Sequence, residues 1–472
     1  MLGIMGNTRT AKLVALIWTC LSATGCGQQY ATLTVDPTEH HQTIAGWEAT
    51  AKVWEFDKVN DRFDGSWLAQ RDELAAMLVD EAGIDRLRLE IKSGIENPID
   101  YWALFAAGRI GYHEYFKHFY EKINDNADPA TLNAAGIHFS DLDWRVENIV
   151  LPVKQRVEAR GRRFRLNLTY VDFNWTEAKG TLSHAKKTAE YAELIAATFS
   201  HLKTKYALVP DSLEVILEPD NTDDWDGIAI GKAIVAATAR LDATGFPNVG
   251  IIAPSTAKAQ RALSYYDDIR RVPGAAQRMT TLSYHRYNRE PAASDLGRIR
   301  DAANAAGMST AMLEYTDGGI DDLLADLTRG DASAWQQYSI ADRVHGDDDA
   351  RPGNVIVARD QESGPPLLTL SPMARVLALI FNNVDPSSIR VAARSTNANI
   401  AAVGFLTPKR KLVVVLKAGR DVSLTIAGLP HGRYRLTSAR IDGPDTKPHI
   451  VKVDGALNLP VTKNTTYALV EL

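Results

Sequence analysis

Apolar residues recur along this chain with two periods. From about residue 42 to 383, short apolar runs of strand length alternate with stretches whose apolar positions fall three and four residues apart. The runs that read as strands are TIAGWEAT (Thr43–Thr50), GIDRLRLEI (Gly83–Ile91), RFRLNLTYVD ending at Asp172, EVIL (Glu214–Leu217), VGIIAPS (Val249–Ser255), MTTLSYHRY (Met279–Tyr287), STAMLEYT (Ser309–Thr316) and WQQYSIADR (Trp335–Arg343). Between them lie amphipathic helices. One carries Trp67, Leu74, Met77 and Leu78 on a single face, and another carries Tyr191, Leu194, Ile195, Thr198, Phe199 and Leu202. A third is stopped by Gly245 and Pro247. Eight strand-then-helix units over roughly 340 residues predict a (β/α)8 barrel, a fold that usually takes about 250 and often more. The rival, a doubly wound open sheet, lacks the Gly-rich phosphate loop after a strand that would support it.

After FNNVDP the helical period disappears. NIAAVGFL, KLVVVLKA, VSLTIAGL, RYRLTSARI, HIVKVDG and TTYALVEL are separated by turn clusters such as TPKR, AGRD and DGPD. Regular short strands of this kind predict an antiparallel β-sandwich over 384–472. The early run ATLTVDP, within 27–41, is strand-like but surplus to the barrel, and is expected to add a strand to that sandwich. The barrel is then expected over 42–383.

Composition removes several function classes. The 472 residues are 45% apolar and 24% charged, with a formal charge of −5 and no Lys/Arg block, so a nucleic-acid partner is not expected. Arg9 and Lys12 precede LVALIWTCLSATG and then Cys26, the order of an export signal over residues 1–26. Its thirteen apolar or small residues fall short of the roughly 20 that cross a bilayer. ATGC is similar to a bacterial lipobox, which makes Cys26 the expected lipidation point and a lipid anchor the expected membrane contact; a plain secretory signal is the rival. The only other cysteine, Cys20, lies in the same segment, so no disulfide, thiolate metal site or cysteine nucleophile is expected in the mature fold.

In a (β/α)8 barrel the site forms at the C-terminal strand ends, so polar residues there carry weight: Glu48, Arg88, Glu90, Asp172, Glu218, His285, Tyr287 and Glu314. Glu218 and Glu314 close the expected fourth and seventh strands. Two carboxylates over one barrel mouth suit glycoside hydrolysis with retention, one protonated to give a proton to the leaving oxygen and one ionised to attack the sugar carbon. Either glutamate alone would be an ordinary salt-bridge partner; the pair at these two strands is what points to chemistry. A metal-dependent hydrolase would need clustered His and Asp, and the only paired histidines, in TEHH (Thr38–His41), precede the barrel.

The motifs carry a family resemblance. TLTVDPTEHHQTIAGWEAT is similar to the opening of the family 30 glycoside hydrolases, which include glucosylceramidases and endo-β-glycanases. RLRLEI resembles their second barrel strand, YHRY their sixth and LEYT their nucleophile strand. The resemblance implies an exported retaining β-glycosidase that acts on a β-linked oligo- or polysaccharide without metal or organic cofactor. It implies Glu314 as nucleophile and Glu218 as acid/base. Arg88 and Tyr287 would then support Glu314, and His285 would contact the substrate or the acid/base. Trp47, Trp175, Trp225 and Tyr338 are candidates to stack on sugars, and Asp172 closes the third strand.

Three departures stand against the family pattern. Leu217 occupies the place of an asparagine that holds the sugar 2-hydroxyl, so another group such as Asn167 or Asn221 would have to read that position, or it goes unread. Glu48 replaces a glycine and would put a charge at the site entrance, and Tyr338 stands where tryptophan is usual. The alternative they leave open is a catalytically silent surface protein that binds glycans on a degenerate barrel.

Overall fold

The computed structural model describes residues 30–346, 350, 352–444 and 446–472. The expected export signal and Cys26 lie outside these. Among the described residues no helix is long and apolar enough to cross a membrane.

Eight parallel strands close into a barrel: Gly46–Thr50, Arg86–Lys92, Arg165–Val171, Ser212–Glu214, Gly250–Thr256, Met279–Tyr284, Ser309–Met312 and Ala332–Ser339, each bonded to the next and the last to the first. The expected eighth strand is present but begins three residues earlier than WQQYSIADR. The fourth and seventh are shorter than their apolar runs, ending before Glu218 and Glu314. Helices cover the outside as their periodicity predicts. Thr188–Tyr206 buries Tyr191, Leu194, Ile195, Thr198, Phe199 and Leu202. Gly227–Ala243 is started by Asp226, whose side chain accepts from Ala229 N at 2.7 Å, a cap that satisfies one free helical N–H.

The C-terminal strands form one nine-stranded sheet that curls around its own apolar core. Two of its strands escaped the sequence reading: Ile389–Ser395, and Ala456–Val461, whose alternating exposed and half-buried residues mark an edge. The early segment joins as expected, over Tyr30–Thr43. It lies between Ile389–Ser395 and Val422–Ala427 and runs parallel to the latter, so the sheet is mixed where an antiparallel one was expected. The other face of this sheet packs on the barrel: Val403, Phe405, Val413, Val415, Ala439 and Ala468 belong to the same apolar core as the barrel helices. Backbones also approach closely between the second barrel strand and the last helix before the sheet. Gly83, with φ +84, leads into the second strand, and a Cβ there would sit 2.4 Å from the Phe381 carbonyl carbon at the end of helix Pro372–Phe381.

Candidate active site

Glu218 is fixed by its backbone before its side chain does anything. Past the end of the fourth strand, Val215 N still bonds Ile252 O (3.2 Å), Leu217 N bonds Tyr170 O (2.9 Å) and Glu218 N bonds Ser255 O (3.0 Å). Glu218 itself takes φ 46, ψ 62, the left-handed region, directly before Pro219. That conformation is unfavourable for a residue with a Cβ and persists where surrounding bonds over-determine it. It turns the carboxyl over the barrel mouth. Asn221, in the short turn Pro219–Asn221, donates to Glu218 Oε2 at 2.7 Å, and Glu218 Oε1 meets His285 Nδ1 at 2.9 Å.

Glu314 hangs between the sixth and eighth strands, because Leu313 N bonds Tyr284 O (3.1 Å) and Tyr315 N bonds Gln337 O (3.0 Å). Both its oxygens are engaged. Arg88, fully buried in the second strand, pairs with Oε2, and Tyr287 Oη donates to Oε1 at 2.8 Å. The same Arg88 Nη2 bonds Glu90 Oε1 at 3.0 Å and Nη1 bonds Leu313 O at 3.3 Å, so the guanidinium is locked in one orientation.

The two carboxyls face each other. One ligand-type atom from each of Glu218, His285 and Glu314 lies within 4.8 Å of the other two. Burial raises Glu218 above the ordinary carboxylate range, and the charge of Glu314 adds to this against the bonds from His285 and Asn221. Burial would raise Glu314 as well, but the Arg88 cation, with His285 and the bonds from Arg88 and Tyr287, outweighs it and holds this carboxyl low. His285 is fully buried and its proton affinity is raised by Glu218 and Glu314 against the opposing effect of burial. One carboxyl of the pair is therefore disposed to carry a proton and the other to lack one. These three residues are also of metal-binding type, but Arg88 already supplies the positive charge and Tyr287 takes the remaining oxygen of Glu314.

Several expected contact residues are elsewhere. Trp47 is a core residue, stacked on Phe381 at 4.7 Å with its Nε1 bonded to Val384 O. Glu48 is buried inside the barrel, paired with Arg86, and puts no charge at the entrance. Asn167 is also interior: its amide donates to Glu214 Oε2 at 3.0 Å and its oxygen accepts from Ser212, which leaves it no sugar to read. Trp225 is buried against Tyr170 and Tyr191, and its Nε1 bonds Asp172 Oδ2 at 3.0 Å. Asp172 is spent as a strut, holding Ser93, Lys122 and Trp225. In all five cases a strand or loop neighbour satisfies the side chain before a ligand would. Asn221 is at the site but bonded to Glu218. Trp175 is 56% exposed and lies flat on Phe173, leaving one ring face open.

Tyr338 lines a cavity of about 470 Å³ at the mouth, together with Lys52, Tyr112 and Thr316, which is two residues beyond Glu314. Lys52 was not expected from the sequence. Its Nζ donates to Tyr338 Oη at 3.3 Å, and its only available signal was its place two residues after the first strand. Leu217 is buried. It belongs to a buried apolar cluster with Trp102, Phe105, Tyr115, Phe119, Tyr120, Val171 and Phe173, most of it contributed by the chain after the second strand.

With this geometry in place, comparisons define the class of fold. No family model matches the chain, and no curated protein matches it. Solved structures do. The catalytic domain of GH30 xylanase C from Talaromyces cellulolyticus is 14% identical, covers 93% of this chain and 100% of its own, and superposes with TM-score 0.64. A GH30 endoxylanase from Clostridium papyrosolvens C71 is 17% identical with TM-score 0.63, covering 94% and 99%. SrfJ from Salmonella typhimurium is 14% identical with TM-score 0.61, covering 95% and 93%. The fold is GH30-like throughout: a (β/α)8 barrel with an appended β-sheet domain.

Proposed function

We propose that the protein is an exported retaining β-glycoside hydrolase acting on a β-linked glycan, with Glu314 as nucleophile and Glu218 as acid/base. The observation that carries this reading is the closeness of the two carboxyls, one oxygen of each lying within 4.8 Å of the other, combined with proton affinities pushed in opposite directions. Retaining enzymes hold these groups about 5–5.5 Å apart, whereas inverting ones leave about 6.5–9.5 Å for a water. In the first step Glu218 gives its proton to the glycosidic oxygen while Glu314 attacks the anomeric carbon, forming a glycosyl ester and releasing the aglycone. In the second, Glu218, now ionised, takes a proton from water, which displaces Glu314 and restores both groups. Tyr287 and Arg88 hold Glu314 on line. The xylanases among the fold neighbours are consistent with a β-linked polysaccharide substrate, and the N-terminal sequence supports export with a lipid anchor on Cys26.

On a substrate that the wild type turns over, Glu314→Gln is expected to lose on the order of 10⁴-fold or more in kcat. Undiminished turnover would remove the assignment. Glu218→Ala is expected to slow substrates with poor leaving groups far more than activated aryl glycosides, and azide should restore the latter. Equal losses on both would rule out acid/base catalysis. The silent glycan-binding reading draws on Leu217; binding of β-linked glycans without any turnover across a polysaccharide screen would favour it.

A further inference from the structure

Away from the mouth, a second group of carboxylates has no use in this chemistry. Glu190 and Glu193 stand one turn apart on helix Thr188–Tyr206, and Asp125 reaches them from the loop between the second and third barrel strands; one oxygen from each lies within 4.8 Å of the other two. Glu190 and Glu193 are only 6% and 4% exposed. Glu190 Oε2, Glu193 Oε1, Asp125 Oδ1 and the amide oxygen of Asn124 are all buried without a hydrogen-bond partner. What bonds exist leave these atoms free: Asn124 Nδ2 donates to Glu190 Oε1 at 3.4 Å, and Asp125 Oδ2 accepts from Asn126 Nδ2 at 3.0 Å and Asn133 N at 2.5 Å.

Two buried carboxylates crowded by a third, half-buried one are costly unless a cation or protons neutralise them. Of the charged groups that act most strongly on Glu193, Asp125, Glu190 and Glu96 are negative and Arg240 is positive. Glu96 is already paired with His184 at 2.8 Å. Arg240 uses its Nη2 on the Ala130 carbonyl at 3.2 Å.

We propose that Asp125, Glu190, Glu193 and the Asn124 amide oxygen form a structural site for Ca²⁺. The donors are all hard oxygens, which select Ca²⁺ or Mg²⁺ over thiolate- or imidazole-seeking metals. Ligand number decides between the two: three carboxylates and an amide oxygen from the protein suit Ca²⁺, which takes about 6–8 oxygen ligands in flexible geometry, whereas Mg²⁺ usually keeps several waters and is held by one or two carboxylates. The ion would fasten the long loop after the second strand to the helix after the third. That loop reaches the mouth through Lys122, whose Nζ pairs with Asp172 and whose carbonyl accepts from Thr181 N (2.8 Å) and Leu182 N (3.2 Å).

The test uses the full chain stripped with EGTA, then dialysed against CaCl2 or MgCl2, with metal content by mass spectrometry and thermal unfolding measured on the same samples. The expected result is one Ca²⁺ per chain, a melting temperature several degrees higher in Ca²⁺ than in EGTA, and a smaller rise in Mg²⁺. The double variant Glu190→Gln/Glu193→Gln should retain no Ca²⁺ and, with the repulsion removed, should melt in EGTA no lower than the wild type. Absence of bound Ca²⁺ in the wild type, an equal response to Mg²⁺, or an undiminished Ca²⁺ response in the double variant would overturn the site. If the variant does not fold, the wild-type metal content and the Ca²⁺-against-Mg²⁺ melts still decide.

Discussion

Arg88 shows how much a single side chain does here. Fully buried, it neutralises Glu314, ties down Glu90 and caps a strand-end carbonyl. Replacing it with methionine removes the cation that holds Glu314 low. On the proposed mechanism Glu314 attacks as the ionised carboxylate, so the acid limb of the kcat/KM profile should move to higher pH, while the alkaline limb, assigned to the raised Glu218 and its partner His285, should move little. A profile whose acid limb does not move would mean that Arg88 does not tune Glu314. The same change leaves a buried carboxylate unpaired, so urea denaturation should register a loss of about 3–5 kcal/mol. Both glutamates, His285 and Tyr287 were legible because each closes or follows an apolar run, and Arg88 because it is a charge inside one. Trp47, Glu48, Asn167 and Trp225 were misplaced for one reason: residue type and strand position do not reveal whether a neighbouring strand, such as the one that supplies Arg86 or Glu214, has already taken the side chain.

At the scale of elements, the chain after the second strand matters most. Its short helices Tyr101–Ala106 and Tyr112–Lys117 bring Trp102, Phe105 and Tyr115 into the cluster that contains Leu217. The density of aromatics between residues 101 and 120 was the available signal, but nothing in the sequence says which strand end such a cluster will cover. It explains why leucine stands beside the acid/base candidate: the position is packed, not solvated. Leu217→Asn should therefore lower stability by about 1–3 kcal/mol, the cost of an amide buried without partners, and bring no gain in turnover. A stable and more active variant would show instead that the residue faces the sugar. Lys52 lines the cavity beside Tyr338 and Tyr112, and Lys52→Met is expected to raise KM with little change in kcat. An equal fall in kcat would assign it a part in the transition state.

The whole molecule behaves, on this account, as one unit. Valines 403, 413 and 415 and Phe405 turn from the sheet into the barrel's apolar core. At about 1.5–3 kcal/mol for each such side chain, their burial is worth roughly 6–12 kcal/mol, comparable with the net stability of a domain. Calorimetry should therefore show a single transition, and two resolved transitions would mean that barrel and sheet fold apart. The barrel and the appended strands were readable from period alone. The parallel pairing of Tyr30–Thr43 with Val422–Ala427 was not, since no local pattern encodes a partner some 390 residues away.

The central claim, that Glu314 becomes covalently bound to the sugar, is tested most directly by mass spectrometry of the protein after reaction with an activated 2-deoxy-2-fluoro β-glycoside of a sugar it turns over. The account predicts one glycosyl adduct per chain, mapped to the peptide that contains Glu314 and absent from Glu314→Gln. Turnover of the parent glycoside with no adduct, or an adduct on a different carboxylate, would contradict it.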